Sequence, residues 1–478
     1  MAEKKTKNYV LDTNILIHCP DSIFKFDDNN VYVTHTTMEE LDGLKSAQGE
    51  VGYNAREAIR LINSLRTKGK LIDGVETQNG GKFFVCAAST SGKLNLPAGW
   101  KTEKSDNQIL LAVLELMNKM ENVILVSNDV SMILKADMLD IKAESYRNDR
   151  VSQKEELYTG RIEIEVPTYV LDLFDDLEQI PMVDIAMSMM NELEENGEAA
   201  QFDTVEDCVR YFGLVNRQFV VLSDCDGNKR LGYYEDKAIH KLKSQNQRPF
   251  NVIPRNAGQF FAQEALMAPT DEVPLVILKG EAGTSKTFYS LACGLEQVVN
   301  QQKYKRVLIC RPNVKFDEDI GYLKGTEMDK IMPLIRPCLD NLEVLININD
   351  KKNGIPKKTA LELECEIQSY FDCGWLSAEA LAYLRGRSIS DTFIIIDEAQ
   401  NASPNQILGI ITRAGEGSKI CIIGDINQID NPRLDKYNNG LAFASERMKG
   451  SDVCMQMTFT DEECTRSKLA KVAAELLS

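Results

Sequence analysis

Histidine is scarce, with three in 478 residues, which disfavours a His-rich zinc centre and turns the search for metal ligands to carboxylates. Twelve cysteines are present, yet none forms a CxxC pair or a Cys/His pattern at metal-binding spacing. Cys310 and Cys421 fall inside apolar, strand-like runs, so buried free thiols are expected. No apolar run approaches the roughly 20 residues that a membrane span needs. The first ten residues, MAEKKTKNYV, are polar and lack the apolar stretch of a secretory signal. These absences predict a cytoplasmic protein with no membrane partner. Positive charge is in deficit: 55 basic against 72 acidic residues give a net charge of −17. That balance opposes long-range attraction to polyanions, so any nucleic acid must meet a local basic groove. Acidic runs such as 172–178 and 192–195 are expected to be solvated helix faces.

The composition that remains, 43% apolar and 27% charged, is globular, and the length suggests two to four folding units. Residues 1–150 alternate strand-like runs (Tyr9–Leu11, Val31–Val33, Val123–Val126) with helix-like segments from about Thr37, Arg56 and Ser105. That pattern predicts an α/β unit with a parallel sheet. Residues 151–250 change texture. An alternating run at 161–166, an acidic Met-rich helix near 183–195 and a hairpin around Asp226-Gly227 predict a small mixed, β-rich connector. From 251 to 478, four apolar runs each end in a polar motif: 275–278, 307–310, 393–396 and 420–423. Short buried strands with functional residues at their C-terminal ends describe a doubly wound parallel sheet.

The first of those motifs is Gly280, Glu281, Ala282, Gly283, Thr284, Ser285, Lys286 and Thr287, between an apolar strand and a helix-like segment. This is the context of a phosphate-binding loop. Its backbone N–H groups would wrap the β-phosphate, Lys286 would reach the β/γ oxygens, and Thr287 would ligate Mg²⁺. Ser285 stands where the pattern has glycine, so its Cβ restricts the backbone. After the third run, Asp397 is placed to hold Mg²⁺ and Glu398 to orient and deprotonate water. After the fourth, Gln428 is placed to sense the γ-phosphate. An ordinary glycine-containing turn would explain the first motif alone; three motifs at successive strand ends argue for one nucleotide site.

Residues 251 to about 450 resemble the PhoH family of RecA-like ATPases, which shares motifs with helicases of the first superfamily. The resemblance is carried by Pro254-Arg-Asn-Ala-Gly-Gln259, the 280–287 loop, Arg311-Pro312, 382–387, Phe393 to Asn401, Thr412-Arg413 and Gly424 to Asp430. It implies ATP as the nucleotide and base contacts from Asn256 and Gln259. It also implies an arginine finger donated by a neighbouring subunit, with Arg387, Arg413 and Arg466 as candidates, and a hexameric homo-oligomeric ring. Surface or structural ion pairing is the duller role for each arginine.

The N-terminal unit carries Asp12, Glu40, Asp106 and Asp129 at strand ends and helix starts. Carboxylates meeting in one site repel unless a cation lies among them, and hard oxygen ligands favour Mg²⁺ or Mn²⁺. Such a metal would activate water against a phosphodiester. Singly, Asp106 would serve as a helix N-cap, Glu40 as an exposed helical residue and Asp129 as a turn former. Asp12, ending an apolar strand before Thr-Asn, is the hardest to dismiss, being poorly explained by packing. Residues 8–147 resemble a PIN domain through Leu11-Asp-Thr-Asn14, Glu40 to Lys45, Asp106 to Leu110 and Leu125 to Asp129, in family order. The resemblance implies that the four acids bind metal and cut single strands, and a PIN domain before a PhoH-like domain matches a bacterial fusion architecture.

Together these readings predict an ATP-driven RNA-remodelling enzyme joined to a metal-dependent endoribonuclease. Two alternatives remain. One is a nucleotide-regulated scaffold with an inactive acidic site; the other is a flap or repair nuclease acting on single-stranded DNA. No RNA-specific module, such as a stacking-aromatic signature, separates RNA from DNA.

Overall fold

Both ends of the chain build parallel sheets for the same reason: runs such as Val123–Val126 and Phe393–Ile396 are apolar at every position, so both of their faces must be covered. The computed structural model describes residues 6–47, 50–77, 80–86, 96–97, 100–146, 157–195, 204–312, 327–384 and 388–464. It divides into two compact units, Met1–Arg150 and Val151–Ser478.

In the first unit, strands β1 (Asn8–Leu11), β2 (Asn30–Thr34), β3 (Val75–Glu76), β4 (Lys82–Cys86), β5 (Val123–Val126) and β6 (Ala143–Glu144) are ordered β3-β4-β2-β1-β5-β6. All neighbours are parallel except β3 and β4. Helices α1 (Thr13–His18), α2 (His35–Leu44), α3 (Glu50–Arg66), α4 (Ser105–Met117) and α5 (Val130–Asp137) cover its faces. Alternate residues feed two cores: Leu11 and Val33 join one, Val10 and Tyr32 the other. The expected α/β unit is present, and β4 is a strand that the sequence pattern did not single out.

The second unit holds two sheets. The middle region contributes β7 (Arg161–Glu165), α6 (Thr168–Asp176), β8 (Gln179–Pro181), α7 (Met182–Glu195), α8 (Val205–Phe212), β9 (Gln218–Ser223), β10 (Lys229–Glu235) and β11 (Ala238–Lys241). Its sheet runs β7-β9-β10-β11-β8. The expected hairpin is β9–β10, turning through Gly227 at φ +82°. This sheet is two-faced. Val220, Leu222 and Tyr234 pack on α6 and α7, while Phe219, Val221 and Tyr233 enter the core of the C-terminal region. Phe219 stacks on Phe261 at 4.6 Å between ring centroids. The connector thus has its own core and also packs on the region that follows it.

That region comprises α9 (Ala257–Met267), β12 (Leu275–Lys279), α10 (Lys286–Leu295), β13 (Arg306–Arg311), α11 (Glu327–Lys352), α12 (Ala360–Asp372), β14 (Leu376–Ala380), β15 (Thr392–Ile396), α13 (Pro404–Ile411), β16 (Lys419–Gly424), α14 (Gly440–Arg447) and β17 (Cys454–Thr458). The sheet order is β14-β13-β15-β16-β12-β17, with every neighbouring pair parallel. Val276 and Leu278 face the core under α9 and α10, whereas Leu275 and Ile277 face the other, under α13 and α14. Side-chain caps fix where helices begin: Asn256 for α9, a Ser403/Gln406 capping box for α13 and Asn439 for α14. Because all strands run one way, every strand delivers its terminal motif to the same edge. Cys310 and Cys421 are buried free thiols, as expected. No described helix is long and apolar enough to cross a membrane.

Candidate functional sites

The phosphate loop leaves β12 at Gly280. Gly280, Gly283 and Ser285 all have positive φ, +147°, +87° and +69°. These reversals curl the backbone into a closed loop ahead of α10, the arrangement that lets N–H groups surround an anion. At Gly280 a Cβ would lie 2.9 Å from Cβ of Phe459, so glycine is required sterically as well. Lys286 is 8% exposed. Its Nζ donates to the carbonyls of Gly280 and Glu281, both at 2.7 Å, and to Oγ1 of Thr284 at 3.3 Å.

Opposite the lysine, Oγ1 of Thr287 donates to Oδ1 of Asp397 at 3.2 Å, and Sγ of Cys338 donates to Oδ2 at 3.5 Å. Burial raises the Asp397 carboxyl above its usual range, with Glu398 adding to the rise; Arg311 and Thr287 oppose it. A half-buried hydroxyl in contact with a buried carboxylate, beside an anion loop, gives oxygen donors suited to Mg²⁺. Thr287 and Asp397 therefore fit the metal expected there.

Glu398 adopts a left-handed conformation, φ +55°, which turns its side chain off the strand. Arg311, at the end of β13, donates to its Oε1 at 2.9 Å and to the carbonyl of Leu334 at 2.7 Å. Gln400 donates to Oε2 of Glu398 at 2.5 Å and to the carbonyl of Gln428 at 2.8 Å, while its Oε1 accepts from N–H of Asp425 at 3.1 Å. Gln400 is fully buried and stitches the motif after β15 to the motif after β16. Gly424 permits this, since a Cβ there would lie 2.2 Å from Oε1 of Gln400. Each oxygen of Glu398 thus accepts one side-chain bond and keeps a further acceptor site.

These residues border an open cleft of about 390 Å³, lined by Ala282, Gly283, Ser285, Lys286, Thr287, Phe288, Asn341, Asp397, Glu398, Gly424, Asp425 and Gln428. The structure thus gathers the loop, Asp397, Glu398 and Gln428. Asn256 and Gln259 are not among its lining. Oδ1 of Asn256 caps α9 by accepting from N–H of Gln259, and Oε1 of Gln259 accepts from Tyr289 Oη and from N–H of Arg255. Arg413 is exposed beyond the C-terminal end of α13, where its carbonyl accepts from N–H of Ile389 ahead of β15. That is the sheet edge opposite the loop. Arg387 and Arg466 lie outside the described residues. Arg311, Gln400 and Asp425 are contributors that the site expectations omitted, although each ends or follows a strand by the rule that located Asp397. Cys338 and Asn341 come from the long helix α11 and carry no local signal.

In the N-terminal unit, the pairing of Leu11 with Val126 sets Asp12 beside Ser127. Asp12 is 8% exposed and caps α1. Its Oδ1 accepts from N–H of Thr13 at 2.7 Å, and its Oδ2 from Ser127 Oγ at 2.6 Å and Asn14 Nδ2 at 2.8 Å. Burial pushes its carboxyl up to about 6 despite these bonds, with Glu40 and Asp106 adding to the rise. Glu40 is half-buried, not exposed, and accepts from Oγ1 of Thr13. Asp106 is not a helix N-cap: Lys104 holds that position without a side-chain bond, and Asp106 instead pairs with Lys135 at 2.7 Å. Asp129 reaches the same edge, but its Oδ1 caps α5 by accepting from N–H of Ser131 at 2.8 Å.

Among the described residues no group of three or more His, Cys, Asp or Glu side chains is drawn in tightly enough to hold a metal ion. The donor chemistry nevertheless fits a hard cation. A carboxylate whose proton affinity is raised by burial first, and then by two acidic neighbours, would be relieved by a divalent ion. Asp12, Glu40 and Asp106 are the residues that would hold it.

Family models match both regions: a PhoH-like protein model over residues 251–478 and a PIN domain model over residues 9–147. The chain is 37% identical over 478 residues to Protein PhoH2 of Bacillus subtilis, covering 99% of this chain and 100% of that one. It is 30% identical over 474 residues to Protein PhoH2 of Thermobispora bispora, covering 99% and 97%. Protein PhoH of Escherichia coli K12 is 30% identical over 223 residues, 46% of this chain and 56% of that one. The 280–287 loop with Thr287 and Asp397 lies within the first match and the strand-end acids within the second, and the chain belongs to the PhoH family, in the form that joins a PIN domain to a PhoH-like ATPase domain.

Proposed function

We propose that the C-terminal region hydrolyses ATP to move or unwind RNA, and that the N-terminal unit cuts the strand with a divalent metal. The observation that carries the first half is the contact of Thr287 with Asp397, facing Lys286 across one cleft. Lys286 would leave the loop carbonyls for the β/γ-phosphate oxygens, and Glu398 would orient the attacking water. Magnesium held by Thr287 and Asp397 would neutralise charge developing on the phosphate. The second half rests on the raised carboxyl of Asp12 and its acidic neighbours. A metal there would supply a nucleophilic water, with Asp12, Glu40 and Asp106 holding it and Asp129 joining if it leaves its cap.

A homo-oligomeric ring, of six subunits by resemblance, completes the proposal. The cleft is open on one side, and Arg413 is exposed at the far edge of the same sheet, so it could serve a phosphate site only in another subunit. RNA is preferred to single-stranded DNA on family resemblance alone.

The test separates the chemistries. Lys286→Ala should abolish ATP hydrolysis while a short unstructured RNA is still cut with Mn²⁺. Asp12→Asn, nearly isosteric, should abolish cutting and leave ATP turnover within about twofold, since the two sites belong to separate units and share no side chain. Retained hydrolysis in the first variant, or retained cutting in the second, would remove the corresponding half.

A further inference from the structure

We propose that Lys279 is a positioning residue through which nucleotide at the phosphate loop acts on the middle β-rich module. The proposal rests on the reading of residues 280–287 as the ATP site and names a coupling that this reading does not contain.

Lys279 is the last residue of β12, directly before Gly280, and only 2% exposed. Its Nζ donates to the carbonyl of Tyr158 and to Oγ of Ser445 at 2.5 Å. Ser445 continues the chain of bonds to Oε1 of Gln456 at 2.6 Å, and Gln456 returns a bond to the carbonyl of Ser445 at 2.9 Å. Residues 158–161 are thereby strapped along the end of β17. N–H of Tyr158 donates to Glu446 at 2.5 Å, and N–H of Thr458 to the carbonyl of Thr159 at 2.6 Å. At Gly160, φ is +76° and a Cβ would lie 2.0 Å from the carbonyl oxygen of Gln456, so only glycine allows the approach.

The strap leads straight into β7, which pairs with β9 over five residues from Arg161 to Glu165. A second tie runs in parallel. Nη1 of Arg161 donates to both oxygens of Glu463 at 2.9 Å, and Glu463 also accepts from N–H of Gly258 at 2.7 Å. The next residue, Cys464, touches the carbonyl of Ala282 in the loop at 3.6 Å. The module is thus tied to Lys279, directly before the loop, and through Glu463 and the adjoining Cys464 to Ala282 within it.

A nucleotide changes forces at this junction. Lys286 now donates to the carbonyls of Gly280 and Glu281. Phosphate oxygens compete for that ammonium, so both carbonyls lose a charged donor, and the backbone next to Lys279 must find new partners. Lys279 passes the adjustment to Tyr158 and so to β7. A lysine that only glued two modules together would hold the strap equally with and without nucleotide.

Hydrogen exchange on the full chain separates these cases, using Mg²⁺ with a non-hydrolysable ATP analogue, and a separate binding titration. In the wild type, the analogue should change exchange in peptides covering 157–165 and 218–223 by about fivefold, the lower end for coupled sites. In Lys279→Met the analogue should still bind, and exchange at 157–165 should no longer respond. A wild-type strap that ignores bound analogue, or a Lys279→Met strap that still responds, overturns the coupling. Failure of the wild type to bind any analogue overturns instead the nucleotide reading beneath it. Should Lys279→Met not fold, Ser445→Ala and Arg161→Met take its place, each expected to weaken the response; an unaltered response in both overturns the proposal.

Discussion

Replacing Ser285 by glycine perturbs one backbone angle in the phosphate loop and little else. Ser285 has φ +69° and ψ 22°, and its side chain makes no capping bond to α10. An L-residue in the left-handed region costs roughly 1–2 kcal/mol. Glycine loses more chain freedom on folding, roughly 0.5–1 kcal/mol. The net expectation for Ser285→Gly is a gain between zero and about 1.5 kcal/mol, by difference of those two ranges. In a unit spanning 151–478 this amounts to a melting shift of at most about 5 °C, so denaturant midpoints are the better readout. Because Ser285 also lines the cleft, removing its side chain should leave ATP turnover unchanged or raise it, with KM equal or lower. Ser285→Ala separates the two contributions: it keeps the Cβ that carries the strain and loses only the hydroxyl, so it should behave like the wild type. A large fall in turnover for both variants would show that the hydroxyl works in the reaction. A loss of stability in Ser285→Gly would refute the strain reasoning outright.

Gly424→Ala should drive Gln400 from its place, because the new Cβ would meet Oε1 at 2.2 Å; steady-state kinetics should show kcat down at least about tenfold, as loss of positioning predicts, with nucleotide affinity changed far less. Lys419 donates to the carbonyls of Ala265, Leu266 and Ala268 at the end of α9, and burial pushes its ammonium down to about 7. The unfolded chain holds that proton up to the ordinary lysine range, so this group's contribution to stability rises with pH between about 7 and 10.5 and is flat below, with a slope of at most about 1.4 kcal/mol per pH unit. Lys419→Met should remove that slope, which denaturation of both proteins across the window would reveal as a difference that shrinks to nothing if the lysine titrates normally. Light scattering with Mg²⁺ and ATP should find a ring-sized oligomer at micromolar concentration; a monomer that hydrolyses ATP well would end the role assigned to Arg413.

The parallel sheets were legible because strands buried on both faces are apolar at every position, and the four runs expected from 275 to 423 are β12, β13, β15 and β16. Edge strands escaped for the converse reason. Leu376-Ser-Ala-Glu-Ala380 and Cys454-Met-Gln-Met-Thr458 lie at the two margins of the sheet and mix polar residues into their runs. The middle module was legible only as pieces, since its parallel pairing of Arg161 with Phe219 joins residues far apart in the chain without a local signature. Residues of the nucleotide site that follow strands could be found by position; Cys338 and Asn341 could not, because their relevance depends on how α11 lies across the sheet. Among the acids, Asp12 was recognisable because a carboxylate at the end of an apolar strand is poorly explained by packing. Asp106 and Asp129 show the limit of such reasoning, for an ion pair with Lys135 and a cap on α5 give each a structural role that position in the sequence did not separate from metal binding.

The proposed meeting of ATP hydrolysis and strand cutting on RNA is tested by cleavage of matched RNA and single-stranded DNA of one sequence with Mn²⁺, with and without ATP, in the wild type, Lys286→Ala and Asp12→Asn. The wild type should cut RNA in preference to DNA, ATP should extend cutting into structured RNA, Lys286→Ala should lose only this ATP-dependent part, and Asp12→Asn should cut nothing. Intact RNA in every wild-type reaction, or equal cutting by Asp12→Asn, would contradict it.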